Sequence, residues 1–250
     1  MRGPRQRSIL LSALDRTADD VAERARRTLA QRWPDAEAIV VDKTPSDGIL
    51  TEAKKFRADV IVVGWRGAGV ARRLLMGSVS RDVVRGAKCA VLVVRRRPTA
   101  PMRNIVLAFD GSPNARRAVS LLAKLSPPRD GRVTLVDAVE LLTPTSAGPT
   151  AAGIRGSVAR GLKRINAERS KAAMSALNRA AQELTRSGWR TRIALRTGEP
   201  LRELIDTVHT SRAELLVVGA RGTSGVRRLL LGSVAEGVLS WSPVPVLLAR

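Results

Sequence analysis

Shifted by 155 residues, this chain lies on itself. ADVIVVGWRGAGVARRLLMGSVSRDVVRGAKCAVLVVR (58–95) falls on AELLVVGARGTSGVRRLLLGSVAEGVLSWSPVPVLLAR (213–250), and 17 of the 38 positions are identical without a gap. The same shift sets Pro45 on Pro200 and ADDVAERARRTLAQRW (18–33) on AMSALNRAAQELTRSG (173–188). A fixed internal period means that one supersecondary unit is used twice, so the fold must divide into two related halves. The copies meet at RRRPTAPMR (95–103), dense in charge and proline. The predicted division is a shortened copy over 1–97, a linker over 98–103 and a complete copy over 104–250.

The complete copy alternates strand and helix. Strands are predicted over 104–110, 131–139, 190–196, 214–220 and 244–249. Helices are predicted over 113–125, about 160–186, 200–211 and 233–240, with a small-residue loop over 143–153. Apolar, β-branched strands separated by helices imply a parallel sheet covered on both faces. Ser112-Pro113 suits an N-cap followed by proline at the first helical position.

Composition narrows the function classes. No apolar run approaches the ~20 residues that cross a bilayer, and the short apolar stretch after the basic start soon meets Asp15, unlike a signal peptide. A cytoplasmic protein is expected. A single cysteine, Cys89, excludes an internal disulfide, and a single histidine, His209, disfavours a histidine metal site or a Ser-His-Asp triad. Cys89 is expected to be buried and inert, His209 to sit on the surface, and Trp189 and Trp241 to pack helices. Lys and Arg number 44 against 22 acids, and only seven of the 44 are Lys. An excess of +22 suggests an anionic partner. With 2% aromatics, the stacking platforms of single-strand binding are disfavoured. With no long basic run, the blander reading is charge spread over solvated helix faces.

Each copy carries Gly-x2-Gly-x9-Gly-Ser: Gly64, Gly67, Gly77 and Ser78 in the first, Gly219, Gly222, Gly232 and Ser233 in the second. The first glycine ends a buried strand, where open α/β sheets bind ligands. The final Gly-Ser opens a helix, whose free N–H groups suit a phosphate. The pattern has no Gly-Lys-Ser/Thr, so it is no Walker A loop, and it lacks the third glycine of the Rossmann fingerprint.

With the strand-end Asp of AFDGSPNARRA (108–118) and the closing PVPVLLAR (243–250), this motif resembles that of the universal stress proteins in their ATP-binding branch. The resemblance covers 104–250 and, shortened, about 8–95. It implies two tandem open parallel α/β sheets of the adenine nucleotide alpha-hydrolase-like kind, strand order 3-2-1-4-5, with the ligand where the winding reverses. Asp110 would then meet adenine or ribose, and Ala108 and Ala138 would line the base pocket. Val218, Gly219, Gly222, Gly232, Ser233 and Val234 would wrap ribose and phosphates. Arg221, inside the loop, is added because a guanidinium grips phosphate oxygens, and Arg227 and Arg228 could reach them from the spacer. A weaker second site would use Gly64, Arg66, Gly67, Gly77, Ser78 and Val79, with Arg72 and Arg73 nearby. The ligand implied is ATP, with or without magnesium.

The first copy lacks an equivalent of residues 104–130. SILLSAL (8–14) is predicted as its only leading strand, sliding to the centre and bringing Asp15 near Gly64. A start upstream of Met1 is the alternative. The final strands, 91–94 and 246–249, are apolar and would sit at sheet edges. They are expected to pair within the chain about an approximate two-fold axis, a homodimer being the other possibility. The leading function is a bacterial-type, ATP-binding regulatory stress protein with little or no hydrolysis. The alternatives are a basic protein that binds nucleic acid or an anionic surface, and a scaffold that has lost its nucleotide.

Overall fold

Short apolar runs, most of them rich in Val and Ile, form the seven strands described in the computed structural model. It describes residues 4–65 (side chains from 17), 76–95, 102–143, 155–222 (side chains from 158) and 231–250. By contact the chain divides into units 1–49 and 50–250.

The first unit holds α1 (Pro4–Ala30) and the start of α2 (Pro45–Lys55). The expected strand SILLSAL lies inside α1, so it neither forms a strand nor slides into a sheet. The physical reason is local. No proline or glycine interrupts the chain between Pro4 and Pro34, and the run has one β-branched residue among Leu, Ala and Ser. A short apolar run of that composition goes helical when no neighbouring strand is there to pair with it. The α2 start is capped reciprocally: the Thr44 hydroxyl donates to Asp47 Oδ2 at 2.7 Å and accepts from the Asp47 N–H at 3.4 Å.

The second unit is built on one sheet. Its strands are β1 (Val60–Gly64), β2 (Ala90–Val94), β3 (Asn104–Ala108), β4 (Arg132–Val139), β5 (Arg190–Thr197), β6 (Leu215–Gly219) and β7 (Val246–Ala249), in the order β1-β2-β7-β6-β3-β4-β5. Within the complete copy the order β5-β4-β3-β6-β7 is the expected 3-2-1-4-5, parallel throughout. The helices are α3 (Ser78–Gly86), α4 (Pro113–Ala123), α5 (Arg155–Arg186), α6 (Pro200–Thr210) and α7 (Ser233–Trp241). α4 packs on β6 and β7 and against α5, while α6 packs on β3 and β4 and against α7. Leu107, Leu122, Leu135, Leu177 and Leu184 are fully buried on the α4–α5 side. Trp189 seals that layer, its indole N–H donating to Leu122 O at 3.0 Å.

Three residues depart from expectation or fill it out. Trp241 is 73% exposed, so it packs no helix; it ends α7 facing outward. Cys89 is half-buried, because it precedes β2 instead of lying in it. His209 is exposed on α6.

β2 and β7 join the copies antiparallel, with Val91 opposite Leu248, Leu92 opposite Leu247 and Val93 opposite Val246. Under the 155-residue shift Leu92 corresponds to Leu247, so this register is symmetric about that pair. The contacts around it are reciprocal too. Arg95 donates to Leu239 O and Ser240 O at the end of α7, both at 2.7 Å. Its counterpart Arg250 donates to Val84 O and Arg85 O at the end of α3. Each arginine satisfies the orphan carbonyls of a helix C-terminus in the other copy, where the helix dipole favours a cation. Such mutual contact is the mark of an isologous interface.

Candidate functional site: a crevice between β3 and β6

Chain direction creates the crevice. From β3 the chain leaves through α4 towards β4, and from β6 through α7 towards β7, on opposite faces of the sheet. The carboxyl ends of these two neighbours therefore face a gap that no crossover fills.

Asp110 stands at the β3 rim. Its Oδ1 accepts the Ser112 N–H at 3.0 Å, an Asx turn that needs Gly111 at φ +73°. Ser112 then caps α4 as expected, its hydroxyl oxygen accepting from Ala115 N at 3.1 Å. Across the gap, the main-chain oxygen of Arg221 accepts from Ser112 Oγ and Asn114 Nδ2, each at 3.3 Å. These bonds tie the start of the glycine loop to the N-terminus of α4. A Cβ on Gly219 would stand 2.9 Å from Asn114 Cβ and 3.0 Å from Ala115 N, so glycine lets β6 end that close to the helix. A Cβ on Gly222 would stand 2.6 Å from Asp110 Oδ2.

The loop returns at Gly232, whose N–H donates to Ala220 O at 2.9 Å. Gly232 is the N-cap of α7 and offers no side-chain cap, while Ser233 is exposed and Val234 half-buried in its first turn. Of the predicted residues, Asp110, Gly219, Arg221, Gly222 and Gly232 thus converge on one rim. Ala108 and Ala138 are half-buried near the ends of β3 and β4, and Val218 has its side chain in the core at 2% exposure. Arg227 and Arg228 lie outside the described residues.

The first copy repeats the backbone bonds at the strand end and the helix N-cap. Gly77 N donates to Trp65 O at 2.9 Å, and Trp65 N to Val94 O at 2.7 Å, as Ala220 N does to Ala249 O at 2.8 Å. Gly77 is the N-cap of α3, with Ser78 exposed and Val79 half-buried behind it. Among the described residues, however, β1 ends the sheet, and no Asp-bearing strand lies beside Gly64. Trp65 takes the place of Ala220, with Arg95 stacked 3.5 Å from its ring centroid. Arg66, Gly67, Arg72 and Arg73 lie outside the described residues.

Two charged groups escaped the sequence reading. Burial, and then the neighbouring Asp110 carboxylate, push the Asp137 carboxyl from 3.8 up to about 6, against a lowering hydrogen bond from the Ala138 N–H and the charge of Arg169. Burial, and then the nearby Arg221 charge, lower the proton affinity of Arg250. The folded chain holds a proton on Asp137 that the unfolded chain releases near pH 4. This contribution to stability is full below about pH 3.8 and is lost as pH rises through about 6. Asp137→Asn is expected to flatten the pH dependence of unfolding over that window, and Asp110→Asn to lower the Asp137 titration followed by carboxyl NMR. An Asp137 titration unmoved by Asp110→Asn would mean the two carboxylates do not interact.

An open, doubly wound α/β sheet with a glycine loop at its switch point defines the class. Within that class, the universal stress protein family model matches residues 4–95 and 101–250, and the chain belongs to that family. A universal stress protein of Mycobacterium tuberculosis is 29% identical over 207 residues, which are 77% of this chain and 62% of that relative. The chain thus spans less than two thirds of that relative's length. A universal stress protein of Thermus aquaticus is 30% identical over 148 residues, 59% of this chain and 98% of the relative. The solved universal stress protein of Archaeoglobus fulgidus DSM 4304 shares the fold, with a TM-score of 0.65, 19% identity, and coverage of 96% of this chain and 78% of that one. Among the described residues, no helix is long and apolar enough to cross a membrane.

Proposed function

We propose that this chain binds an adenine nucleotide, ATP, at the β3–β6 crevice of its second copy, and that it acts as a regulatory stress protein by binding, with little or no hydrolysis. The observation that carries this reading is the Gly222–Asp110 approach: a backbone without a side chain lies beside a strand-end carboxylate at the switch point. The arrangement fits a nucleotide chemically. The α7 N-terminus, with no side-chain cap, suits phosphate, and Arg221 with Arg250 makes the loop electropositive. Asp110 offers acceptor oxygens to ribose or base donors. The first copy keeps an α3 N-terminus of the same build but has no strand-end carboxylate, which supports a weaker anion site there.

The pairing of β2 with β7 extends the proposal to architecture. The first copy serves as a cap on the edge of the second, whether or not it holds a nucleotide, giving one chain the layout of a pair of domains. Titration calorimetry with ATP is expected to give one dominant site per chain. Two equal sites would contradict the asymmetry.

A further inference from the structure

The sheet carries a second opening, away from the crevice. Among the described residues, α6 packs on β3 and β4 and makes no comparable contact with the same face of the edge strand β5. A cavity of about 470 Å³ lies there, lined among others by Thr134, Arg192, Arg196, Thr207, Thr210 and Ser211. A smaller one of about 170 Å³ shares Thr134 and Arg192 and adds Arg132. The register sets Thr134 beside Arg192 and Ala138 beside Arg196, so these side chains share one face of the sheet. Among the described residues, no acid lines either cavity. The nearby acids are engaged elsewhere: Asp130 pairs with Arg190 and Asp206 with Arg202. Thr134 is 6% exposed and lines both cavities, and its hydroxyl has no hydrogen-bond partner among the described residues. Thr207, Thr210 and Ser211 donate their hydroxyl hydrogens to helix carbonyls, at 2.7, 2.9 and 2.6 Å, which leaves oxygen lone pairs for a ligand's donors.

We infer that this groove is a second ligand site, for a phosphorylated, hydroxyl-bearing small molecule such as a sugar phosphate. Guanidinium groups without acidic partners, on a face with a buried hydroxyl, suit phosphate oxygens. The acceptor row along α6 suits the hydroxyls attached to the phosphate. The volume falls in the range of small-molecule pockets. The site also gives part of the +22 charge a specific use.

The test is an amide NMR titration of the full chain with glucose 6-phosphate, and separately with inorganic phosphate. Glucose 6-phosphate is expected to shift Thr134, Arg192 and Ser211 saturably, at concentrations about tenfold below inorganic phosphate, since its hydroxyls add hydrogen bonds. Arg192→Ser with Arg196→Ser should abolish these shifts and leave those at Gly232 and Ser233 under ATP unchanged. The inference is overturned by shifts that persist in the double variant, by shifts that sodium chloride reproduces, or by equal response to the two probes. Tighter binding of a short oligonucleotide at the same residues would overturn it in favour of a nucleic-acid surface.

Discussion

Replacing Gly222 with valine is expected to weaken ATP binding by about 10- to 100-fold, the loss of one hydrogen bond to a charged group, while the protein still unfolds cooperatively. The cause is local. The new Cβ would stand 2.6 Å from Asp110 Oδ2, the far end of a side chain that can swing away, so the carboxylate gives and the backbone stays. Asp110→Ala should reach a similar affinity by the other route. Gly219→Val is the contrasting case. Its Cβ would meet the Asn114 Cβ at 2.9 Å and the Ala115 N at 3.0 Å, neither of which can rotate out of the way. That variant should lose about 1–3 kcal/mol of stability by overpacking. Calorimetry with thermal melts separates the two. Unchanged affinity in both Gly222→Val and Asp110→Ala would remove Asp110 from the site.

Deleting residues 1–100 is expected to turn the remaining copy into a self-associating fragment. The deletion uncovers β7, whose four residues are all buried in the whole chain, Leu248 and Val246 at 0% and 1% exposure. It also removes Arg95 from the end of α7. An apolar edge with unpaired N–H and C=O groups seeks another strand. In the intact chain, Val91→Asp tests the same seam. Val91 is fully buried opposite Leu248, and an unpaired carboxylate there should cost more than about 3 kcal/mol. Sedimentation gives the state of the fragment. A soluble monomer at high concentration would contradict the capping role.

The repeat made much of this legible. The alternation of strand and helix, the glycine positions and the Ser112 cap follow from period, β-branched runs and turn residues, all local in sequence, while the strand order follows from the family resemblance. What stayed hidden depends on neighbours that only the fold supplies. Asp110 and Asp137 are far apart in sequence and meet because β3 and β4 pair. Arg95 and Arg250 look like surface charge until the antiparallel join carries each to the other copy's helix. The edge groove is invisible because its arginines and its hydroxyls come from separate elements. SILLSAL misled for the opposite reason: its apolar pattern suits strand or helix, and the strand beside which it would have paired is missing from its copy.

A crystal structure of the full chain with ATP tests the central claim most directly. Adenine is expected between Ala108 and Ala138, ribose by Asp110 and Gly222, and phosphates at the α7 N-terminus around Gly232 and Ser233, with any first-copy occupancy limited to phosphate near Ser78. ATP seated only in the β5–α6 groove or only in the first copy, with the β3–β6 crevice empty at saturating nucleotide, would contradict it.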